Sequence, residues 1–75
     1  MNAEFEHKVG QNIRALREKK GMTQEQLSTK LQIGGCDITR SALAKIEVGQ
    51  RHIYPDELKL IKEILRVRFE DILCD

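Results

Sequence analysis

The chain has 75 residues, of which 40% are hydrophobic and 33% are charged, with one proline and no tryptophan. This size and balance predict one small globular domain and argue against a disordered or membrane-spanning chain, since the longest apolar runs are only a few residues. The amino terminus, MNAEFEHK, lacks the apolar stretch of a signal peptide, and two cysteines are few for a small secreted scaffold. We therefore expect a cytoplasmic protein with free thiols.

The net charge of +1 is unevenly distributed along the chain. Residues 8 to 51 carry +5, whereas residues 1 to 7 and residues 52 to 75 each carry −2. A weak overall charge argues against indiscriminate coating of nucleic acid, but a locally basic middle suits a site that contacts a few phosphates.

The first segment has the apolar spacing of an amphipathic helix. The repeating positions are Phe5, Val9, Ile13 and Leu16. They predict a helix from about Glu4 to Lys20, closed by Gly21, because glycine adopts the left-handed conformation that ends many helices. Gly10 is a mild weakness inside this helix, so we expect fraying in the segment before it.

The next segment, MTQEQLSTKL, carries the best-marked helix start in the chain, because Thr23 and Gln26 have the spacing of a capping box. Helix two is expected from about Gln24 to Leu31. The stretch QIGGCDI then leads to the next helix, and it is long for a helix-turn-helix corner, which usually takes about three or four residues. Its glycines do not make a phosphate-binding loop, since the GxxxxGK[ST] pattern is incomplete and no strand precedes it.

The segment TRSALAKIEVG, residues 39 to 49, is marked as a helix at both ends by Thr39 as N-cap and Gly49 as the left-handed terminator. Its apolar side carries Ala42, Leu43 and Ile46. The opposite side carries Arg40, Ser41, Ala44 and Lys45. This opposite side is short and cationic, so a partner can approach the helix backbone closely; a solvent-exposed face without a partner is the alternative for a helix that stands alone.

Pro55 at the first helical position, followed by Asp56 and Glu57 in the first turn, predicts helix four. The apolar arc of this helix is wider than one neighbour requires. Its members are Leu58, Leu60, Ile61, Ile64 and Leu65. A last turn, FEDIL, predicts a short fifth helix that covers the core or meets another subunit. The fold class is therefore all-α, a compact five-helix bundle, with residues 1 to 75 forming a single domain.

Residue types with catalytic or metal-binding chemistry are scattered. His7 and His52 lack the close spacing with cysteine that is typical of zinc sites, and Ser41 has no paired histidine and acid nearby. Five small helices also leave little room for a substrate pocket. We expect no enzymatic activity, no metal or other cofactor and no small-molecule ligand.

The order of TQEQLSTKL and then ITRSALAKIEVGQR resembles the phage repressor and Cro-type (Xre-like) helix-turn-helix family of bacterial DNA-binding proteins. The similarity extends from about Val9 to Leu73, and its most specific blocks are IRALREKKGMTQEQL and KIEVGQR. It implies a lambda-repressor-like bundle with a helix-turn-helix at about residues 23 to 49. Helix three is then the recognition helix, which enters the major groove of double-stranded DNA.

The resemblance implies roles at the matching positions. Base contacts fall on Arg40, Ser41, Ala44 and Lys45. Phosphate contacts fall on Gln24, Thr39, Gln50 and Arg51. Arg17 and Glu47 match a structural ion pair between helix one and the end of helix three. The chemistry of the base-contacting positions agrees, because arginine can bind guanine O6 and N7 together and alanine can contact a thymine methyl group.

The expected function is sequence-specific regulation of transcription, most simply by a repressor that binds a palindromic operator as a homodimer. The excess apolar arc predicts dimer contacts within residues 55 to 73. They are Leu60, Ile64, Phe69 and Leu73. The alternative is a protein-interaction module, antitoxin-like or anti-regulator, whose helix-three face binds a regulatory protein. A steep salt dependence of binding would favour DNA over a protein partner.

Overall fold

A computed structural model of the protein describes residues 2–74 and contains five α-helices within them. The helices are α1 (Ala3–Lys19), α2 (Gln24–Ile33), α3 (Arg40–Glu47), α4 (Pro55–Leu65) and α5 (Phe69–Leu73). The predicted all-α class and the predicted order of elements are confirmed. The longest dimension of the described part is 28 Å, and none of its helices has the length and apolar character needed to cross a membrane.

One hydrophobic core holds the five helices together. Its buried side chains are Val9, Ile13, Leu27, Leu31, Ile38, Leu43, Ile46, Ile53, Ile61, Leu65 and Ile72. Two of them, Ile38 and Ile53, lie in the connectors before and after α3, so both connectors are fixed to the core. Burial of each such side chain contributes about 1.5–3 kcal/mol to stability. The helix α3 is consequently anchored by its own buried side chains and by both of its connectors.

Four helices end in a Schellman motif, in which two amides beyond the helix bond back to its last carbonyls. The longer bonds of these motifs run from Met22 to Arg17, Cys36 to Leu31, Gln50 to Lys45 and Val67 to Lys62. Gly49 supplies the left-handed residue after α3, with φ of 77°, as the sequence predicts. After α4 the same position is held by Arg66 with φ of 56°, a conformation that costs a non-glycine residue roughly 1–2 kcal/mol.

Gly10 has a different role from the one expected. α1 begins at Ala3 and continues through Gly10, which is buried against the end of α3. A Cβ atom at this position would overlap the carbonyl oxygen of Ile46 and lie 3.0 Å from that of Glu47. The missing side chain therefore lets the backbones of α1 and α3 touch, and the prediction of a weak point misses this packing requirement.

Candidate nucleic-acid interface

One side of α3 lies in the core and the other faces solvent. Thr39 caps the helix, since its hydroxyl accepts a hydrogen bond from the Ala42 amide at 3.1 Å, and Leu43 and Ile46 anchor the buried side. The solvent side carries Arg40, Ser41 and Lys45, which are exposed, and Ala44, which is half-buried. The structure thus brings together on one face the four residues that the resemblance assigns to base contacts.

Val48 lies on this same face directly after α3, and the residue is 48% exposed. It follows Ala44 by four positions, the spacing that places two residues on one side of a helix. This spacing is visible in the sequence, but Val48 is not among the predicted contact residues. An exposed valine beside a small residue adds an apolar strip to a cationic face, which is the kind of surface that contacts a thymine methyl group.

Glu47, the last residue of α3, is buried where three elements meet. Arg17 of α1 donates its Nε to Glu47 Oε2 at 2.7 Å and its Nη2 to Glu47 Oε1 at 3.0 Å. Nη1 of the same arginine donates to the carbonyl of Met22 at 2.8 Å. The hydrogen bonds to Glu47 raise the pKa of Arg17, against the opposing effect of its burial. This is the pair of residues for which the resemblance implies a structural ion pair.

Gln24, the first residue of α2, joins the same junction. Its Nε2 donates to Glu47 Oε1 at 3.0 Å, and the side chain is half-buried. The resemblance assigns this side chain to a phosphate contact, but in the structure it is turned toward a buried carboxylate. The first turn of α2 is therefore tied through Glu47 to the last turn of α3.

Arg51 lies in the loop after α3 and is held by α4. Its Nη1 and Nη2 each bond one carboxylate oxygen of Glu57 at 3.0 Å, and Nη1 also donates to the carbonyl of His52 at 2.8 Å. The paired hydrogen bonds raise the pKa of Arg51 and lower that of Glu57. The arginine side chain remains 27% exposed, and Gln50 beside it is exposed. Both expected phosphate contacts are thus accessible, but Arg51 is already paired.

α1 holds the other side of this loop. The Oε1 atom of buried Glu6 lies 2.7 Å from Nδ1 of His52, whose side chain is 77% exposed. This hydrogen bond is the main cause that lowers the pKa of Glu6. His7 packs against Gly49, where an added Cβ would lie 3.0 Å from the His7 Cα. The contact between Glu6 and His52 could not be predicted, because no local signal connects residues 46 positions apart.

A surface recess of about 530 Å³ opens between α1 and the first turns of α2 and α3. It is lined by Arg14, Arg17, Thr23, Gln24, Glu25 and Arg40. Arg14, which the sequence analysis did not single out, pairs only loosely with Glu18 at 3.5 Å on the surface, a kind of contact that contributes little. Two exposed guanidinium groups beside a helix N-terminus give this recess a charge that suits phosphate.

Cys36 and Cys74 are free thiols. Cys36 is half-buried beside the core, and desolvation, followed by the charges of Asp56 and Glu57, raises its pKa. Within residues 2–74, no three histidine, cysteine or acidic side chains are grouped in a way that could hold a metal ion.

A family model described as helix-turn-helix matches residues 13–72. The chain belongs to the Xre/lambda Cro-type helix-turn-helix family. Members of this family are DNA-binding transcription regulators. Among solved structures, the chain is similar to the crystal structure of the DNA-binding domain of BldD, with a TM-score of 0.81 and 22% identity over 97% of this chain and 99% of that one. At this identity the likeness concerns the fold. The chain has no match among curated proteins.

Six residues, 34–39, separate α2 from α3. The first of these residues complete the Schellman motif of α2, in which the Cys36 amide bonds the Leu31 carbonyl at 2.9 Å. Ile38 then enters the core, and Thr39 caps α3. The added length is therefore used in ending one helix and anchoring the next, and the outer side of α3 remains exposed.

The residues assigned to a dimer contact are only partly available at the surface. Leu60 is half-buried, and its Cδ2 would lie 2.7 Å from a Cβ atom at Gly34, so it packs against the end of α2. Ile64 and Leu73 are also half-buried against the core. Phe69 is 39% exposed, and Lys62 Nζ lies 5.3 Å from its ring centre. The dimer contact stays a prediction.

Proposed function

We propose that the chain binds double-stranded DNA sequence-specifically through α3 and represses transcription as a homodimer on a palindromic operator. The observation that supports this most directly is the solvent face of α3. Arg40, Ser41 and Lys45 are exposed there, whereas Glu47, the acidic residue of the helix, is buried under α1 and α2. A cationic ridge without an exposed carboxylate suits the negatively charged major groove.

The chemistry of each side chain on this face suits a particular contact with DNA. Arg40 binds guanine O6 and N7, Ser41 serves as a short donor or acceptor to several bases, and Lys45 binds a base edge or a phosphate. Ala44 and Val48 contact thymine methyl groups. Phosphate contacts from Thr39, Gln50 and Arg51, and from Arg14 in the recess, set the register of the helix on the duplex.

A selection from random duplex DNA tests the proposal, and a salt titration of the enriched sequence follows it. We expect a common sequence, with an affinity whose logarithm falls against the logarithm of salt concentration by about 0.9 for each phosphate contacted. Arg40→Ala should weaken specific binding more than nonspecific binding, whereas Lys59→Ala, an exposed cation on α4, should change both little. A selection that enriches no sequence would contradict the proposal, and salt-independent binding to a regulatory protein would then favour the interaction-module alternative.

The homodimer requires its own test, because two copies must place their α3 helices about one helical turn apart on the duplex. Sedimentation at micromolar concentration should give the dimer mass, either free or on the selected duplex. Phe69→Glu should shift the chain toward monomer, while Glu70→Gln, its exposed neighbour, should not. One chain bound per duplex at saturation would exclude the palindromic arrangement.

A further inference from the structure

The Glu47 carboxylate connects three helices by hydrogen bonds. It accepts two hydrogen bonds from Arg17 of α1 and one from Gln24 of α2, and it belongs to the last turn of α3. The Glu47 side chain is 1% exposed. A buried carboxylate with three donors has little freedom to move, because loss of any donor leaves charge unsatisfied in a low-dielectric environment.

Gln24 is placed to act on this carboxylate more than on DNA. Phosphate oxygens accept hydrogen bonds, so the Nε2 group is the part of this side chain that could bind phosphate. One of its two N–H bonds is donated to Glu47 at 3.0 Å, in a half-buried position. Glu47 and a DNA phosphate are both ionised acceptors, but the contact with Glu47 is already formed within the folded chain.

We propose that Gln24 is a positioning residue, which fixes the angle of α3 against α2 through Glu47 and is not itself a phosphate ligand. This rests on the proposed function, since it concerns how the DNA-reading helix is presented. The connector anchors the start of α3 through buried Ile38, and the Glu47 junction is a second tie. Gln24 contributes to that tie at the end of α3 farthest from the connector, so its loss lets α3 pivot about the connector and moves Lys45, near the freed end, across the groove.

The test compares Gln24→Ala with Gln32→Ala, a control on the same helix whose glutamine is exposed. Both variants are titrated with the selected duplex and with an unrelated duplex. Gln24→Ala should reduce the ratio of specific to nonspecific affinity about tenfold, the scale of one hydrogen bond to a charged group. Nonspecific affinity should be unchanged, and Gln32→Ala should match wild type in both titrations.

A variant that lacks the Glu47 carboxylate shows whether Gln24→Ala alters the affinity ratio through Glu47. Replacement of a buried ion pair by apolar residues of similar volume is often tolerated, so Arg17→Met and Glu47→Met are combined. In that background Gln24→Ala should have no further effect on the affinity ratio. If the double variant does not fold, the comparison of single variants still separates a positioning role from a phosphate contact and from a merely structural role.

Three results would overturn this role. Equal loss of specific and nonspecific affinity on Gln24→Ala would make Gln24 a phosphate ligand. An unchanged affinity ratio with lowered thermal stability would make it merely structural. An undiminished effect in the methionine background would show that it does not act through Glu47. Failure of the proposed function is recognised separately, because the wild-type chain would then select no duplex.

Discussion

Helix propensity and helix packing predict opposite effects of Gly10→Ala on the stability of the protein. In the interior of a helix without neighbours, alanine is more stable than glycine by about 1 kcal/mol. In this fold the new Cβ would overlap the Ile46 carbonyl oxygen and lie 3.0 Å from the Glu47 carbonyl oxygen. Both are backbone atoms and cannot rotate away, so α1 and α3 must move apart.

Whether Gly10→Ala stabilises or destabilises the protein follows from comparing the gain in helix propensity with the cost of the overlap. Overpacking of a tight contact costs about 1–3 kcal/mol, and the gain in helix propensity offsets about 1 kcal/mol of it. We expect a net loss of about 1 kcal/mol in the free energy of unfolding, or about 4–8 °C in Tm for a domain of this size.

Urea unfolding of Gly10→Ala beside Gln11→Ala measures this difference. Gln11 is an exposed neighbour in the same helix, so its substitution reports helix propensity without the packing conflict. The Gly10 variant should also lose DNA specificity, because Glu47 belongs to the segment that is displaced. A Gly10→Ala protein as stable as wild type, or more stable, would refute the close-packing argument.

The other predictions concern a helix end, an acid-sensitive contact and the connector. Arg66→Gly should raise the free energy of unfolding by about 1 kcal/mol in urea unfolding, because Arg66 has a left-handed φ of 56° that glycine adopts without strain. Gly21→Ala should lower it by a similar amount in the same assay, because φ is 70° there although no neighbour is in contact. The hydrogen bond from His52 holds the pKa of Glu6 below 4.5, so its stabilisation is present above pH 4.5 and is lost as pH falls through the lowered pKa. His52→Ala should flatten that acid-side loss in urea titrations at successive pH values, and an unchanged pH profile would exclude the contact. One glycine inserted directly after Cys36 should cost under about 1 kcal/mol by loop entropy and leave DNA specificity intact, whereas lost specificity would mean that the connector sets the angle of α3.

The helix boundaries could be predicted because their signals are local. Thr23 and Thr39 cap the helices that follow them, and Gly49 ends α3, since each acts on backbone groups within a few residues. The significance of Gly10 could not be read in this way. A glycine that lowers helix propensity and a glycine that admits a neighbouring backbone are identical in sequence, and only the position of α3 distinguishes them.

The same limit applies to the candidate site. Helical periodicity was sufficient to place Arg40, Ser41 and Lys45 toward solvent, because it depends on neighbours in the chain. It could not show which polar side chains are committed to an internal acid. Gln24 and Arg51 belong to this second group, since each is bonded to a carboxylate that no local pattern connects with it.

These internal acids explain how so small a domain can hold α3 in a fixed orientation. Buried Ile38 in the six-residue connector anchors the start of α3 in the core. Glu47 holds the end of α3 through Arg17 and Gln24, and Glu57 fixes the loop beyond it through Arg51. Removal of Arg17 would leave the buried charge of Glu47 without its partner, a penalty of about 3–5 kcal/mol. Tilting of α3 is therefore opposed by charge pairing at its far end as well as by apolar packing along its length.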